Sequence, residues 1–342
     1  MPSRKSSPNT PLISQVYPAA AIPGGELRIR GKGFAAAERP RVLLGDQMAP
    51  IVIGSDSLVI ARVPENTSHG ELVVSSGDAT STPWVCDIGI PLADGLHPVT
   101  SPAVDQFGNI FTTFSGSRGQ RTPVSVYRID PNEGAKPFLT DIMNATALAF
   151  DRSGILYVSS RNDGDVYEVT PRGEMSVYVE GMGVATGLAF DEDENLYVGD
   201  RSGTVFKISR DRQIYVFATI EPSISAYHLA FGPEGYLYVS GPTTSSYDSV
   251  QRISRDGEVE VFYRGLGRPQ GMAFDAEGNL YVAASHAGRR GIVRITPDRE
   301  ADIFVSGPSM VGVAFTPAGS LAISTTNMIY RVDAGIPGRP LF

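Results

Sequence analysis

One phrase recurs six times across the last two thirds of the chain, and it restricts the fold more than any other feature. It reads Leu-Ala-Phe-Asp-Arg-Ser-Gly-Ile-Leu-Tyr-Val at 148–158, Leu-Ala-Phe-Asp-Glu-Asp-Glu-Asn-Leu-Tyr-Val at 188–198 and Met-Ala-Phe-Asp-Ala-Glu-Gly-Asn-Leu-Tyr-Val at 272–282. Looser copies stand at 103–111, 229–239 and 313–323. With the third residue of each apolar triplet as anchor (Val104, Phe150, Phe190, Phe231, Phe274, Phe315), the spacings are 46, 40, 41, 43 and 41. A period of about 40 to 45 residues made of short strands is the signature of a propeller blade.

Each unit reads as four strands; in the third these are 187–191, 195–199, 204–209 and 213–219. A D-x-x-G or P-x-G turn joins the first two strands in most units, with glycine where φ must be positive. Leu, Val, Ile, Tyr and Phe fill the strand interiors, residues that pack well on a pleated face. The small residue after the first apolar one (Ala149, Ala189, Ala230, Ala273, Ala314) lets neighbouring blades approach near the axis. Tyr127-Arg-Ile-Asp leads ten residues later to Pro137-Phe138-Leu139, and Tyr330-Arg-Val-Asp leads ten later to Pro340-Leu341-Phe342. The C-terminus is therefore expected to supply the fourth strand of its own blade, with six complete blades over 98–342. A competing reading gives that place to residues 84–88.

Residues 12–90 lack the repeat. Short alternating strands there, separated by clusters such as Pro23-Gly24-Gly25 and Ser55-Asp56, predict a small β-sandwich. The fold class is thus all-β, a sandwich followed by a six-bladed propeller. Residues 1–11 have almost nothing to bury and are expected to be a disordered arm. Residues 91–97 read as an exposed linker open to proteases.

Lys plus Arg number 29 and Asp plus Glu 37, a net charge of -8 that argues against nucleic acid as a partner. The lone Cys86 excludes a disulfide scaffold and a cysteine-rich zinc site. Four histidines include no HxxxH or HxH pair, so no histidine metal cluster is expected. No run of 18 apolar residues occurs and no apolar stretch follows the charged N-terminal residues. The expected setting is therefore cytoplasmic, without a membrane.

Arg268-Pro-Gln-Gly-Met-Ala-Phe-Asp-Ala-Glu-Gly-Asn-Leu-Tyr-Val-Ala resembles the blade phrase of NHL-repeat and regucalcin/gluconolactonase-like six-bladed propellers. The segment around Val16-Tyr17-Pro18, with Leu27-Arg28-Ile29-Arg30-Gly31-Lys32-Gly33-Phe34, resembles the opening of an IPT/TIG immunoglobulin-like domain. Val42-Leu43-Leu44-Gly45-Asp46 and Val63-Pro64 fit the same pattern. Such domains serve as spacers or interaction modules, so this likeness concerns architecture.

The lactonase likeness implies carboxylate or amide metal ligands four residues before each anchor. This chain has Thr100, Thr146, Thr186, Tyr227, Gln270 and Val311 there, with no acid among them. A hard cation needs about six oxygens, usually with carboxylates. No metal or other cofactor is expected, and the lactonase activity falls into doubt with it.

Blade geometry gathers Tyr227, His228 and Gln270 near the axis on one face, with Arg118, Arg121, Arg161, Asp200, Arg201, Tyr247, His286, Arg289 and Arg290 farther out. Arginines on one rim can recognise a carboxylate or phosphate by bidentate hydrogen bonds. They can equally pair with local acids, Arg161 with Asp163 or Arg201 with Asp200. His228 is the candidate general base, since the other units have Ser, Ala or Gly at its position. A hydrogen-bonded channel histidine accounts for it as well. The glycines of 181–187 have the wrong spacing for a dinucleotide loop, Asp191-Glu-Asp-Glu194 reads as a solvated turn, and Asn144-Ala-Thr as an idle sequon.

The expected role is non-catalytic binding or scaffolding, with a small anionic or polar ligand or a protein partner on the propeller face. Thr146, Thr186, Tyr227, His228, Gln270, Arg118, Arg161, Arg201 and Arg289 are the expected contacts. The alternative is a gluconolactonase-like hydrolase of a small sugar lactone or ester. Oligomeric state is not legible.

Overall fold

The computed structural model describes residues 10–67, 70–116, 120–130, 133–244 and 248–339. Of the arm expected at 1–11, residues 1–9 lie outside them, as do Arg118 and Tyr247. Every regular element among the described residues is a strand, and no helix there is long and apolar enough to cross a membrane. The chain divides into two compact units. One holds the chain up to Ile90 with Ile303–Pro308 and Val332–Ala334; the other holds Pro91–Asp302, Ser309–Arg331 and the residues from Gly335 onward.

In the first unit, Leu12–Tyr17, Glu26–Lys32, Leu58–Arg62 and Ile51–Gly54 form one sheet. Trp84–Val85, Glu71–Ser76, Arg41–Leu44 and Gln47–Ala49 form the other, with Ala79–Thr80 beside Glu71–Ser76. Alternate residues point inward, so Leu27, Ile29, Val42, Leu44, Val59, Leu72, Val74 and Phe34 share one buried core. Ala20–Ala21 pairs in parallel with Asp87–Ile88 on one side and with Val305 and Ser306 on the other. Ser306 secures this graft: its carbonyl accepts from the Ile22 amide and its hydroxyl from the Glu26 amide, both at 2.9 Å. A Cβ on Gly25 would lie 2.3 Å from the Ser306 carbonyl oxygen, so glycine is required there.

In the second unit, four consecutive antiparallel sheets of four strands come first, opening with Ala103–Val104, Ala145–Phe150, Ala185–Phe190 and His228–Phe231. A fifth contains Met272–Phe274, Leu280–His286 and Arg289–Ile295. A sixth runs Met310–Phe315, Leu321–Thr325, Ile329–Val332, Ile90–Ala93. The outer strand of the sixth is thus Ile90–Ala93, from ahead of the first sheet. The expectation that 340–342 fill that place does not hold, and those residues lie outside the described ones. Nor do residues 84–88 fill it, because Trp84–Val85 pairs with Glu71–Ser76 in the first unit.

The repeated phrase has a physical reading at both ends. In the first four sheets the aromatic of the second strand lies between an aromatic of its own outer strand and the anchor of the next sheet. Tyr157 packs on Tyr178 and Phe190, Tyr197 on Phe217 and Phe231, and Tyr238 on Phe262 and Phe274, all edge-to-face at 4.8–5.0 Å. Such pairs add about 0.5–1.5 kcal/mol each beyond their buried area. The turn aspartate closes its own loop: in Asp191, Oδ1 accepts from the Asp193 and Asn195 amides and Oδ2 from the Asn195 side chain and Tyr197 hydroxyl. Asp105 and Asp275 do the same with Asn109 and Asn279.

Innermost strands of consecutive sheets touch, and the strand Ala103–Val104 also touches Met310–Phe315. At that last junction the aromatic pair is missing. Val104, Ile110, Ile129, Leu96, Ala322 and Ile329 form an aliphatic cluster in its place.

Candidate functional site

Of the polar residues expected to ring the axis, Thr100 and Thr186 engage the neighbouring sheet's backbone, while Thr146 and Tyr227 engage carbonyls a few residues back in the chain. Thr100 donates to the Thr146 carbonyl at 2.7 Å, and Thr186 accepts from the Tyr227 amide at 3.1 Å while donating to the Gly199 carbonyl at 3.0 Å. Ser240 donates to the Gln270 carbonyl at 2.5 Å, the Gly271 amide to the Val311 carbonyl at 3.0 Å, and Ser324 to the Thr100 carbonyl at 2.9 Å. Thr146 donates to the Asn144 carbonyl at 2.9 Å, and the Tyr227 hydroxyl to the Glu221 carbonyl. Thr100, Thr146, Thr186 and Tyr227 are all buried. Buried hydroxyls must find partners, and here the partners are strand ends whose carbonyls would otherwise be orphaned. The arrangement stitches sheet to sheet.

His228 is also buried, and burial pushes its imidazole down to about 4. The ring is therefore neutral at pH 7. No described residue hydrogen-bonds its ring.

The expected arginine rim is dispersed in role. Arg118 lies outside the described residues. Arg161 donates at 3.1 Å to the Gly116 carbonyl, which the Asn144 amide also reaches at 3.0 Å. Arg289 is half-buried at the tip of the hairpin Leu280–His286 and Arg289–Ile295, opposite His286. Arg121, Arg201 and Arg290 are exposed. Asp200 is buried and takes the Val184 and Ser202 amides on Oδ1 at 2.8 and 3.2 Å. Asn144 is 1% exposed, which leaves its sequon no surface for a glycan.

The open space lies at the other end of the same innermost strands. A cavity of about 420 Å³ is lined by residues of all six: Val104, Leu148-Ala149, Leu188-Ala189, Leu229-Ala230, Met272-Ala273 and Val313-Ala314. Ligand pockets run from about 300 to 1,000 Å³ and are mostly apolar with a few placed polar groups. The recurrent alanine, legible as a small residue at the axis, leaves a space there where a Leu or Phe would fill it.

Arg339 joins Ser101, Asp191 and Glu192 as the polar residues of the lining. The segment 335–339 crosses the turn ends of three sheets, with Ile336 donating to Gly319, Ala276 to Pro337 and Arg339 to Phe274, each at 3.0 Å. The Arg339 guanidinium then donates to the Phe231 carbonyl at 2.8 Å and to Glu192 at 3.1 Å. Gly338 makes this passage possible, since a Cβ there would stand 2.2 Å from that of Phe315. No repeat covers this segment, so nothing in the sequence marked Arg339 as part of a site.

No group of three or more His, Cys, Asp or Glu able to hold a metal ion occurs among the described residues. The acids nearest the cavity explain this chemically: Asp191 is saturated by its own turn, and Glu192 is paired with Arg339.

By sequence, residues 11–83 match the IPT/TIG domain. No curated protein matches the chain by sequence. By fold the chain is similar to a putative gluconolactonase at 18% identity and TM-score 0.61, over 74% of this chain and 94% of that one. It is similar to an auxiliary nutrient binding protein from Bacteroides thetaiotaomicron at 13% identity and TM-score 0.56, over 94% of this chain and 97% of that one. A third likeness is to virginiamycin B lyase from Staphylococcus aureus, at 14% identity and TM-score 0.52 over 96% of each chain. At these identities the likeness is one of fold.

Proposed function

We propose that this chain is a non-catalytic binding protein in which six sheets close as a propeller and hold a small, mostly apolar molecule in the hub cavity. The cavity at the meeting of the six innermost strands is the observation that carries this reading. Closure is supported by the hydrogen bond from Ser324 to Thr100 and by the aliphatic cluster joining Val104 to Ala322. The bound molecule would set its apolar body against Leu148, Leu188, Leu229 and Met272 and turn one polar end to Arg339. The IPT/TIG domain serves as a spacer or interaction module.

The test is a series of linear alcohols from hexanol to decanol, followed by calorimetry and thermal melting on the full chain. A ligand at about 100 times its Kd stabilises a folded protein by about 2.7 kcal/mol. Wild type should bind with affinity rising along the series, because each buried methylene adds about 0.8 kcal/mol. Ala230→Leu, which fills the cavity, should lose binding while keeping its fold. Hydrolysis of sugar lactones or esters by wild type, abolished in His228→Ala, would instead establish the hydrolase.

A further inference from the structure

The six sheets serve as internal controls for one another, and one junction departs from the rest. The third residue of the turn between first and second strands is Ser153, Asp193, Glu234, Glu277 and Ala318 in five sheets. In the first sheet it is Phe107, which is 80% exposed. Leaving a phenylalanine ring in water where its counterparts are polar or small forgoes most of its burial free energy.

A second departure lies beside it. The charged residue of the third strand is paired in four sheets. Glu168 meets Arg212 at 3.1 Å, Lys207 meets Asp191 at 3.9 Å, Arg294 meets Asp302 at 3.1 Å, and Arg252 meets Glu260. In the first sheet this residue is Arg128, exposed, with Lys136 opposite it on the neighbouring strand. Among the described residues no acid pairs with Arg128 and no group accepts a hydrogen bond from it.

Phe107 and Arg128 border one groove of about 520 Å³ where the first and second sheets meet, walled on its far side by Phe315 to Pro317 and Pro337 to Arg339. Its floor is aromatic: Phe111 packs edge-to-face on Phe138 at 5.0 Å and on Phe150 at 5.2 Å. The groove's two acids are already engaged. Asp105 holds the Phe107 and Asn109 amides, and Asp151 holds the Ser153 and Ile155 amides, at 2.8–2.9 Å. The groove thus combines an apolar floor, an exposed ring at its lip and a guanidinium without a counter-ion, in a chain of net charge -8.

We propose that this groove is a second binding site for a small aryl-bearing carboxylate, adjoining the hub cavity through Val104, Phe150, Phe315 and Arg339 but with Phe107, Phe111 and Arg128 as its own. The ring of the ligand lies against Phe107 and the aromatic floor, and the carboxylate takes the bidentate fork of Arg128.

The experiment uses the full chain with 4-phenylbutyrate, its neutral amide, and butyrate, measured by calorimetry and ligand-observed NMR. Phenylbutyrate should bind, more weakly as salt rises, with butyrate and the amide each weaker by about tenfold or more. Arg128→Gln should lower phenylbutyrate binding to the level of the amide and leave the amide unchanged. Phe107→Ser, which installs the residue of the second sheet, should weaken phenylbutyrate and amide alike by about tenfold. Both variants change exposed side chains, so their melting temperatures should match wild type. Ala230→Leu should bind phenylbutyrate as wild type does, so this site and the hub fail independently. The proposal is overturned if phenylbutyrate does not bind at millimolar concentration, or if both variants bind it normally. It is equally overturned if binding is lost in Ala230→Leu and kept in Phe107→Ser.

Discussion

His228 occupies a position where the other innermost strands carry Ser101, Ala147, Gly187, Gly271 and Gly312. Its size was conspicuous in the sequence, but its environment was not, because a burial of this depth depends on neighbours remote in the chain. Burial holds the imidazole at about 4 against an ordinary value near 6.5, so between those pH values the unfolded chain binds the extra proton. The stability that the neutral ring supports is therefore complete above about pH 6.5 and is lost as pH falls toward 4. The shift corresponds to about 3 kcal/mol. Urea unfolding from pH 7 to 4 should show wild type losing about that much more stability than His228→Gln. Parallel pH profiles for the two proteins would mean that the ring is solvated or paired. Cys86 gives the complementary case: burial, with Asp87 beside it, pushes its thiol up to about 12. A thiol held in that state is a packing residue of the sandwich core.

At the level of strands, the repeat was legible because one physical job recurs at every junction but the last. The triplet supplies an anchor ring, the Leu-Tyr-Val supplies the ring it packs on, and in four sheets an aspartate (Asp105, Asp151, Asp191, Asp275) closes the turn after the anchor. Tyr238 illustrates the ring packing, set between Phe262 and Phe274 with its hydroxyl on Glu234. Tyr238→Ala should cost about 3–5 kcal/mol, since it removes a buried ring and both edge-to-face contacts. Tyr238→Phe keeps the ring and loses one hydrogen bond, for a cost of about 0.5–1.5 kcal/mol. Equal losses in the two variants, read by urea denaturation, would place the stability in the hydroxyl instead. The candidate sites were less legible than the strands. The polar residues Thr146 and Thr186 and the apolar cavity lie at opposite ends of the same strands. The sequence marks Thr146 and Thr186 as polar but does not say whether a ligand or a carbonyl meets them. Phe107 and Arg128 were present in the repeat, yet their lack of partners depends on which strand faces which.

For the whole chain, the informative difference concerns the stretch between the sandwich and the first repeat. Turn residues and a lone proline made 91–97 read as a linker. The structure gives it to the sixth sheet, where Ile90–Ala93 is the outer strand and Leu96 is 2% exposed within the aliphatic cluster at the last junction. The Leu96 amide donates to the Asn327 carbonyl at 3.0 Å, anchoring the stretch after the strand ends. An edge strand without a repeat phrase has no periodicity of its own, and four residues cannot announce which sheet they will join. The reassignment reverses the expected pattern of proteolysis. A protease needs a locally opened segment, and a paired strand followed by a buried leucine opens only with the sheet it belongs to. Native digestion should therefore leave 91–97 intact while exposed turns are cut. Leu96→Ala should destabilise by about 2–5 kcal/mol, as for a core leucine. It should also open this stretch to cleavage, since the cluster it leaves has no aromatic pair to compensate. Cleavage of wild type within 91–97 before any other site, together with a Leu96→Ala variant as stable as wild type, would return the stretch to a linker and leave the sixth sheet without its outer strand.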